Sequence, residues 1–470
     1  MKGESMAHSS ISERVQERVQ RLLILFPSVS RIAHKVADAG GQLLLVGGAV
    51  RNCILGLPVH DVDVEVHGLS FDTLESLLST EGSVDFVGKS FGVLRVAGMP
   101  IDWSLPRIDS AGRKPSVQLY QTLPLEQALR RRDLTINAMA LDPLISTLYD
   151  PFGGMRDLVD GRLRAPDVTL FIEDPLRLYR VMQFIGRLNM YPDDALNELC
   201  TSMDIQGVSR ERIIVEFHKL LMLSYAPSKG IRWLAQIGRL QEIMPELGCT
   251  QGVLQEYTWH PEGDVFEHTM QALDAAAQQS YPSYIMRRTV IYAVLCHDLG
   301  KSATTRIEHG MIRSIGHEQA GIIPAQQLLK RIVHEKKLQH AVVLAVRHHM
   351  APGQFVSNNA GAAAYKRLAA AIAPYLDLEA LAYLARADQR GRNPQRGKPL
   401  SVQFSTIDLF TARARELGVL RQAEPALVTG ADVMGIINSG PDVGRILQHA
   451  YELQIAEGIQ DKAELLRRVL

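Results

Sequence analysis

Cysteine is scarce in this chain. There are four in 470 residues, Cys53, Cys200, Cys249 and Cys296, and none forms a CxxC pair. That spacing excludes a disulfide framework and a cysteine zinc cluster, and it fits reduced, packed thiols in a cytoplasmic protein. An excess of charge of either sign is also lacking: Lys plus Arg and Asp plus Glu both number 51. A nucleic-acid partner must therefore be met by local basic patches and not by a global field. One such patch lies between Arg107 and Arg132, where Arg107, Arg113, Lys114, Arg130, Arg131 and Arg132 face only Asp109 and Glu126. No apolar run approaches membrane-spanning length, since the Ala-rich stretch from Ala360 to Ala373 is broken by Tyr365, Lys366 and Arg367. The first ten residues carry no apolar core of the secretory kind, and no repeat or low-complexity tract is visible. These absences describe a soluble intracellular protein with no membrane partner.

What is present divides in two. Helix-period apolar positions from Ser12 to Ala39 (Val15, Val19, Leu22, Leu23, Leu25) predict a helical leader. From Leu43 to Tyr149 short strands mix with helices: Leu43 to Val46, Val59 to Val66, a pair within Asp85 to Val96 turning at Gly88 to Gly92, and Met99 to Pro106. Beyond Pro151 amphipathic helical patterns follow one another, among them Asp174 to Arg187, Ser209 to Ser224 and Ser228 to Gly238. The expected fold is α+β, with an α/β head followed by an all-helical body. Composition shifts again near Trp259, where histidines begin to crowd the chain, and Gly391 to Pro399 reads as a linker.

The densest chemistry in the head lies around Gly47-Gly48 and Asp61-Val62-Asp63. A glycine pair after a buried strand lets phosphates approach backbone N–H groups, and a short helix starting there adds its positive end. On a strand, Asp61 and Asp63 share one face, and two carboxylates held together call for a divalent cation. A phosphate cradle beside a carboxylate pair points to metal-assisted nucleotidyl transfer. Asp102, acidic on another strand of the same sheet, is the candidate third carboxylate. Arg131-Arg132-Asp133-Leu134-Thr135-Ile136-Asn137 packs guanidinium, carboxylate, hydroxyl and amide groups into two expected helical turns, an inventory that suits ribose and phosphates. Capping with solvated arginines would explain the same residues. Glu173-Asp174-Pro175-Leu176-Arg177-Leu178-Tyr179-Arg180 opens a helix with acids and proline in its first turn. If Asp174 and Arg177 share a face there, they can meet the edge of a base.

These motifs, with Gly47-Gly48-Ala49-Val50-Arg51, Asp150-Pro151-Phe152-Gly153-Gly154 plus Asp157-Leu158, and Ser209-Arg210-Glu211-Arg212 plus Glu216, occur in an order that resembles the class II tRNA nucleotidyltransferases. That family comprises the bacterial and eukaryotic CCA-adding enzymes and the related bacterial poly(A) polymerases, and the resemblance spans roughly Leu43 to Gly248. It implies a polymerase-β-like nucleotidyltransferase head followed by helical neck and body. It also implies magnesium on Asp61 and Asp63, with Arg132, Asp133 and Asn137 facing the ribose. Asp174 and Arg177 would read the base of CTP or ATP, Gly47, Gly48, Arg51 and Arg180 would complete the nucleotide pocket, and Arg212 and Glu216 would steady the neck. The partner would be tRNA, extended by C, C and A without a template. Two departures stand out. Asn52 replaces the usual Asp, removing a charge beside Arg51, and the acid-rich lead-in to Arg131 is thin.

Further on, His268, His297-Asp298 and Asp388 follow an order that resembles the HD phosphohydrolase domain, with His317, His348 and His349 as possible accessory groups. Imidazole and carboxylate suit magnesium or a transition ion such as Ni2+ or Mn2+ that activates water for phosphoester hydrolysis. In proteobacterial CCA-adding enzymes a similarly placed domain acts on 2′,3′-cyclic phosphates and phosphomonoesters. The expected domains are 1–40 leader, 41–150 head, 151–258 neck and body, 259–392 HD domain and 393–470 helical tail. Three alternatives remain open: a poly(A) polymerase; an enzyme adding only CC or only A; and a hydrolase whose head is an idle RNA-binding module. The segment from Arg107 to Pro115 resembles the flexible loop that CC-adding relatives lack. Subunit number, monomer or homodimer, is left open.

Overall fold

The computed structural model describes residues 8–10, 13–87, 92–109, 117–395, 398–402, 404–434 and 440–470. Contacts divide the chain into two compact units that meet at Arg212 and Ile213.

Among the described residues the first unit has a two-residue parallel pair, Arg162–Leu163 with Tyr191–Pro192, and ten further short strands: β1 (His8–Ser10), β2 (Gln42–Val46), β3 (Val62–His67), β4 (Val84–Val87), β5 (Val93–Val96), β6 (Ile101–Ser104), β7 (Arg107–Asp109), β8 (Val117–Leu119), β9 (Ala140–Asp142) and β10 (Thr147–Tyr149). Eight form one sheet in the order β1-β10-β9-β2-β3-β6-β5-β4, while β7 and β8 pair separately. From Leu43 to Val46, β2 is apolar because both its faces are covered. Leu43 and Leu45 pack with Val15, Val19, Ile32 and Val36 of the leading helices, and Leu44 and Val46 pack with Leu129, Ala138 and Ala140. In contrast β3 is two-faced: Val62, Val64 and Val66 enter the core, and Asp63 and Glu65 take the opposite face.

Two boundaries differ from the pattern. The strand expected over Val59 to Val66 begins only at Val62, because the antiparallel pairing with β2 ends where Val46 meets Asp63 and Gly47 turns away. Asp61 therefore sits on the approach to the strand. The Arg131 to Asn137 motif does not form two helical turns. After the helix Leu125–Arg130 it runs through bends into a single 3-10 turn, Thr135–Asn137. The turn at Gly88 to Phe91 and the loop from Ser110 to Ser116 lie outside the described residues.

The second unit is helical apart from one small hairpin, Arg306–Glu308 with Met311–Arg313. Its centre is the helix Val265–Ala277, buried along its whole length by the helices Tyr284–Cys296 and Leu378–Arg390. The Asp264 side chain caps that central helix by accepting from the Glu267 N–H at 2.8 Å, and its other oxygen accepts from the Gly252 N–H at 2.6 Å. A cap of this kind contributes about 1 kcal/mol and fixes the first turn, which carries His268. A satellite core of Val428, Val433, Ala450, Ile459 and Leu465 holds the C-terminal helices together. No helix among the described residues is long and apolar enough to cross a membrane.

Candidate active sites

In the head, the chain turns at Gly47 with φ of +69° and enters the helix Gly48–Leu55. A Cβ at Gly47 would lie 2.7 Å from Arg132 Nη1 and 3.3 Å from Asp63 Oδ2, so the backbone comes as close to both as glycine allows. Parallel pairing of β3 with β6 places Asp63 opposite Asp102. Burial raises the Asp63 carboxyl, the neighbouring charges of Asp102 and Asp61 raise it further, and Arg132 opposes them. Like charges facing one another with hard oxygen donors are what a divalent cation would reconcile. Arg95 on β5 meets Asp102 through two hydrogen bonds, one from Nη2 at 3.0 Å, so a cation already faces the third carboxylate. Glu65, next along the same face, is fully buried between His67 at 3.0 Å and Arg131 at 3.4 Å. Sequence reasoning passed over Arg95 and Glu65, although Glu65 continues the two-residue period of Asp61 and Asp63.

Around the second motif a closed polar network forms. Arg51 donates to Asn137 Oδ1, and Asn137 Nδ2 donates to both Asp133 oxygens at 2.9 and 3.2 Å. Arg180 Nε donates to Asp133 Oδ2 at 2.6 Å. Burial works against the Asp133 charge, but Arg180, Asn137 and Arg177 outweigh it and hold the carboxyl at about 2. Arg51 and Arg180 both lie over the Phe184 ring, and burial lowers Arg51 to about 10. Asn52 accepts from Arg51 at 2.9 Å, so the amide keeps the contact that the missing carboxylate would have made. Arg132 is half-buried, and its buried Nε finds no hydrogen-bond partner, a donor beside the Gly47 turn suited to an anionic ligand. Asp157 bonds Thr135 at 2.5 Å and Arg164 at 3.0 Å, which makes the Asp150 to Asp157 motif the floor of this loop.

Two expectations change here. The supposed basic patch is largely consumed in pairs, with Arg130 on Glu126 at 2.6 Å and Arg131 on Glu65; Arg113 and Lys114 lie outside the described residues. Asp174 precedes its helix, which runs Leu176–Leu188 behind Pro175, so it does not share a helical face with Arg177. It pairs instead with Arg212 at 2.7 Å, while Arg177 donates to the carbonyls of Leu170 and Arg131. Glu216, expected with Arg212 to steady the neck, is buried and holds Lys219 at 2.8 Å.

In the second unit His268, His297, Asp298, His317 and His349 converge in the interior. Each imidazole donates its Nδ1–H to a fixed acceptor: Glu262 Oε1 at 2.6 Å for His268, and the Val294, Ser314 and Val346 carbonyls at 2.7 Å for His297, His317 and His349. All four Nε2 atoms then face the interior of the cluster, where His268 Nε2 donates to Asp388 and the His317 and His349 Nε2 atoms lie 3.0 Å apart. His268 and His297 Nε2 lie 3.7 and 3.3 Å from Asp298 Oδ2, and His317 and His349 Nε2 lie 3.4 and 3.8 Å from Oδ1. Asp388 joins through His268 Nε2 at 2.9 Å and is held from behind by Arg392 at 2.9 Å. Apart from the Lys301 ammonium at 2.7 Å, both buried Asp298 oxygens lack a hydrogen-bond donor. Inward Nε2 atoms around an unsatisfied carboxylate form a donor set that fits divalent metal, and Asp298 belongs to two of the three candidate ligand groups, the third being His260, Glu262 and His268. Gly300 is required beside it, since a Cβ would fall 2.0 Å from the His317 carbonyl. His348 is not drawn in; it lines a separate hollow with Arg347 and Arg367. Glu262, Lys301 and Arg392 were not singled out from the sequence, although Glu262 lies in the Trp259 to Asp264 lead-in. A cavity of about 580 Å³ opens on the cluster at His317, Lys301 and Arg392.

A strand-turn-helix phosphate cradle beside carboxylates on adjoining strands defines a nucleotidyltransferase head. The family described as the poly A polymerase head domain matches residues 43–164. The "Multifunctional CCA protein" of Pasteurella multocida is 35% identical over 312 residues, 64% of this chain and 71% of that one. Its namesake in Xylella fastidiosa strain 9a5c is 34% identical over 320 residues, 65% and 73% of the two chains. The chain belongs to the class II CCA-adding enzyme family of tRNA nucleotidyltransferases. Solved structures share the fold. The Thermotoga maritima CCA-adding enzyme complexed with tRNA matches with a TM-score of 0.57 at 18% identity, over 99% of both chains. The Bacillus stearothermophilus CCA-adding enzyme in complex with CTP matches with a TM-score of 0.61 at 20% identity, over 97% of this chain and 98% of that one.

Proposed function

We propose that this protein is a cytoplasmic enzyme that adds CCA to tRNA 3′ ends from CTP and ATP in its head, and hydrolyses phosphoesters in its second unit. Asp61, Asp63 and Asp102 would hold magnesium, which supplies charge neutralisation for the triphosphate and lowers the cost of deprotonating the tRNA 3′-hydroxyl. That hydroxyl oxygen joins the α-phosphorus and pyrophosphate leaves. Gly47, Gly48 and Arg132 cradle phosphates, and Asp133 and Asn137 orient the ribose. Arg51 and Arg180 brace those two side chains. Asp174 and Arg177 read the base once nucleotide draws them from Arg212 and the backbone carbonyls. The Gly47 turn packed against Asp63 and Arg132 carries the reading. Incubation with tRNA lacking its 3′ end, magnesium, and CTP or ATP separately and together tests it. One product three nucleotides longer is expected only with both, and a long ladder with ATP alone would identify a poly(A) polymerase.

For the second unit, His268, His297, Asp298 and Asp388 would hold one divalent ion and Asp298, His317 and His349 another. Such ions supply an activated water and polarise the phosphoryl oxygens. Water oxygen adds to phosphorus, one P–O bond of a cyclic or terminal phosphate breaks, and the departing ribose oxygen takes the proton. Lys301 and Arg392 keep Asp298 and Asp388 charged, and neutral imidazoles favour Ni2+ or Mn2+ over magnesium. The converging Nε2 atoms carry this reading. Release of phosphate or opening of a 2′,3′-cyclic phosphate after Ni2+ or Mn2+ loading tests it, and absence of hydrolysis with every ion would refute it.

A further inference from the structure

The hollow lined by His348 adjoins the cavity beside the histidine cluster. It has a volume of about 350 Å³, and Glu318, Met350 and Gln354 belong to the walls of both spaces. The helix Lys336–His348 ends at their junction. His349, the next residue, turns into the ligand cluster, while Arg347 and His348 turn into the second hollow. Arg367 enters it from the helix Ala362–Ile372.

We propose that this second hollow is an anion subsite for the penultimate phosphate of an RNA 3′ end whose terminal phosphate lies at the histidine cluster. The proposal rests on the phosphohydrolase reading and narrows its substrate from free nucleotides to RNA ends. Charge supports it. Arg347 is exposed and makes no ion pair among the described residues, and Arg367 meets only Glu452, at 3.0 Å, in an exposed pair that a phosphate can displace. Two guanidinium groups beside one imidazole form a fork suited to a phosphodiester. Between the spaces stands Glu318, 3.4 Å from His317 Nδ1. A carboxylate there repels phosphate from the seam, so the two phosphates settle on either side of it and the ribose that links them falls between. A mononucleotide fills only the first space.

The test uses the metal-loaded full chain and two substrates: a nucleoside 2′,3′-cyclic phosphate, and a dinucleotide ending in the same cyclic phosphate. The wild type is expected to favour the dinucleotide about tenfold in kcat/KM, through KM, the scale of one charge-assisted phosphate contact. Arg347→Ala with Arg367→Ala should erase that preference and leave mononucleotide hydrolysis intact, since neither side chain reaches the reacting centre. Equal handling of both substrates by the wild type, or equal loss of both in the variant, would overturn the subsite. If the wild type hydrolyses neither, the hydrolase reading fails. Binding of a fluorescent dinucleotide 3′-phosphate then decides the subsite alone: weaker binding by the variant supports it, and unchanged binding rejects it.

Discussion

Gly47 and Glu262 show how single residues hold the two centres in readiness. At Gly47 a positive φ coincides with Arg132 and Asp63 closing on the Cα. Gly47→Ala is expected to cost about 1–3 kcal/mol from the positive-φ backbone alone, and to displace Arg132 from the cradle. Thermal unfolding should report the first effect, and a KM for CTP raised about tenfold the second. Glu262 accepts from His268 at 2.6 Å and His260 at 2.9 Å, and so holds His268 Nε2 toward Asp388 and Asp298. Glu262→Gln is expected to weaken metal retention by about 10- to 100-fold, read as metal content after dialysis against a graded chelator. Unchanged content would mean that Glu262 serves packing alone.

At the scale of elements, the β2 run and the Gly47-Gly48 break were legible because strand, turn and helix start are set by adjacent residues. The Arg131 to Asn137 loop was not legible as a bend. Its shape depends on Arg180 and Arg51 gripping Asp133 and Asn137 from distant helices, and on Asp157 gripping Thr135. Asp174 misled for a related reason: Pro175 takes the cap position, so the acid stays outside the helix and finds Arg212. The histidine cluster was largely readable from motif order, but Glu262, Lys301 and Arg392 act through partners far away in sequence. Element packing also predicts a pH dependence. Asp274, on the central helix of the second unit, accepts from Ser228 N–H at 3.0 Å and Oγ–H at 2.6 Å, yet burial pushes its carboxyl up to about 6 from 3.8. A raised carboxyl stabilises the fold in its protonated form, fully below about pH 4, and that contribution is lost as pH rises through 6. Asp274→Asn should therefore flatten the stability curve between pH 4 and 6 relative to wild type, by up to the order of 3 kcal/mol in denaturant titrations. Parallel curves would show that Asp274 is not the responsible group.

At the scale of the whole molecule, the proposed function places two phosphate chemistries in two compact units. Both use carboxylates, but the head presents oxygen donors suited to a hard ion and the second unit presents imidazoles suited to a transition ion. The change of composition near Trp259 announced the histidine-rich chemistry. The structural division falls earlier, inside the helix Arg210–Leu223, whose continuous apolar pattern carries no mark of a boundary. Separate donor sets imply separable activities. The most direct measurement compares CTP and ATP incorporation into tRNA lacking its 3′ end with cyclic-phosphate hydrolysis, in wild type and in the Asp61→Ala, Asp63→Ala double variant. Incorporation is expected to fall at least about a thousandfold while hydrolysis is unchanged. Incorporation that survives the loss of both carboxylates would contradict the account.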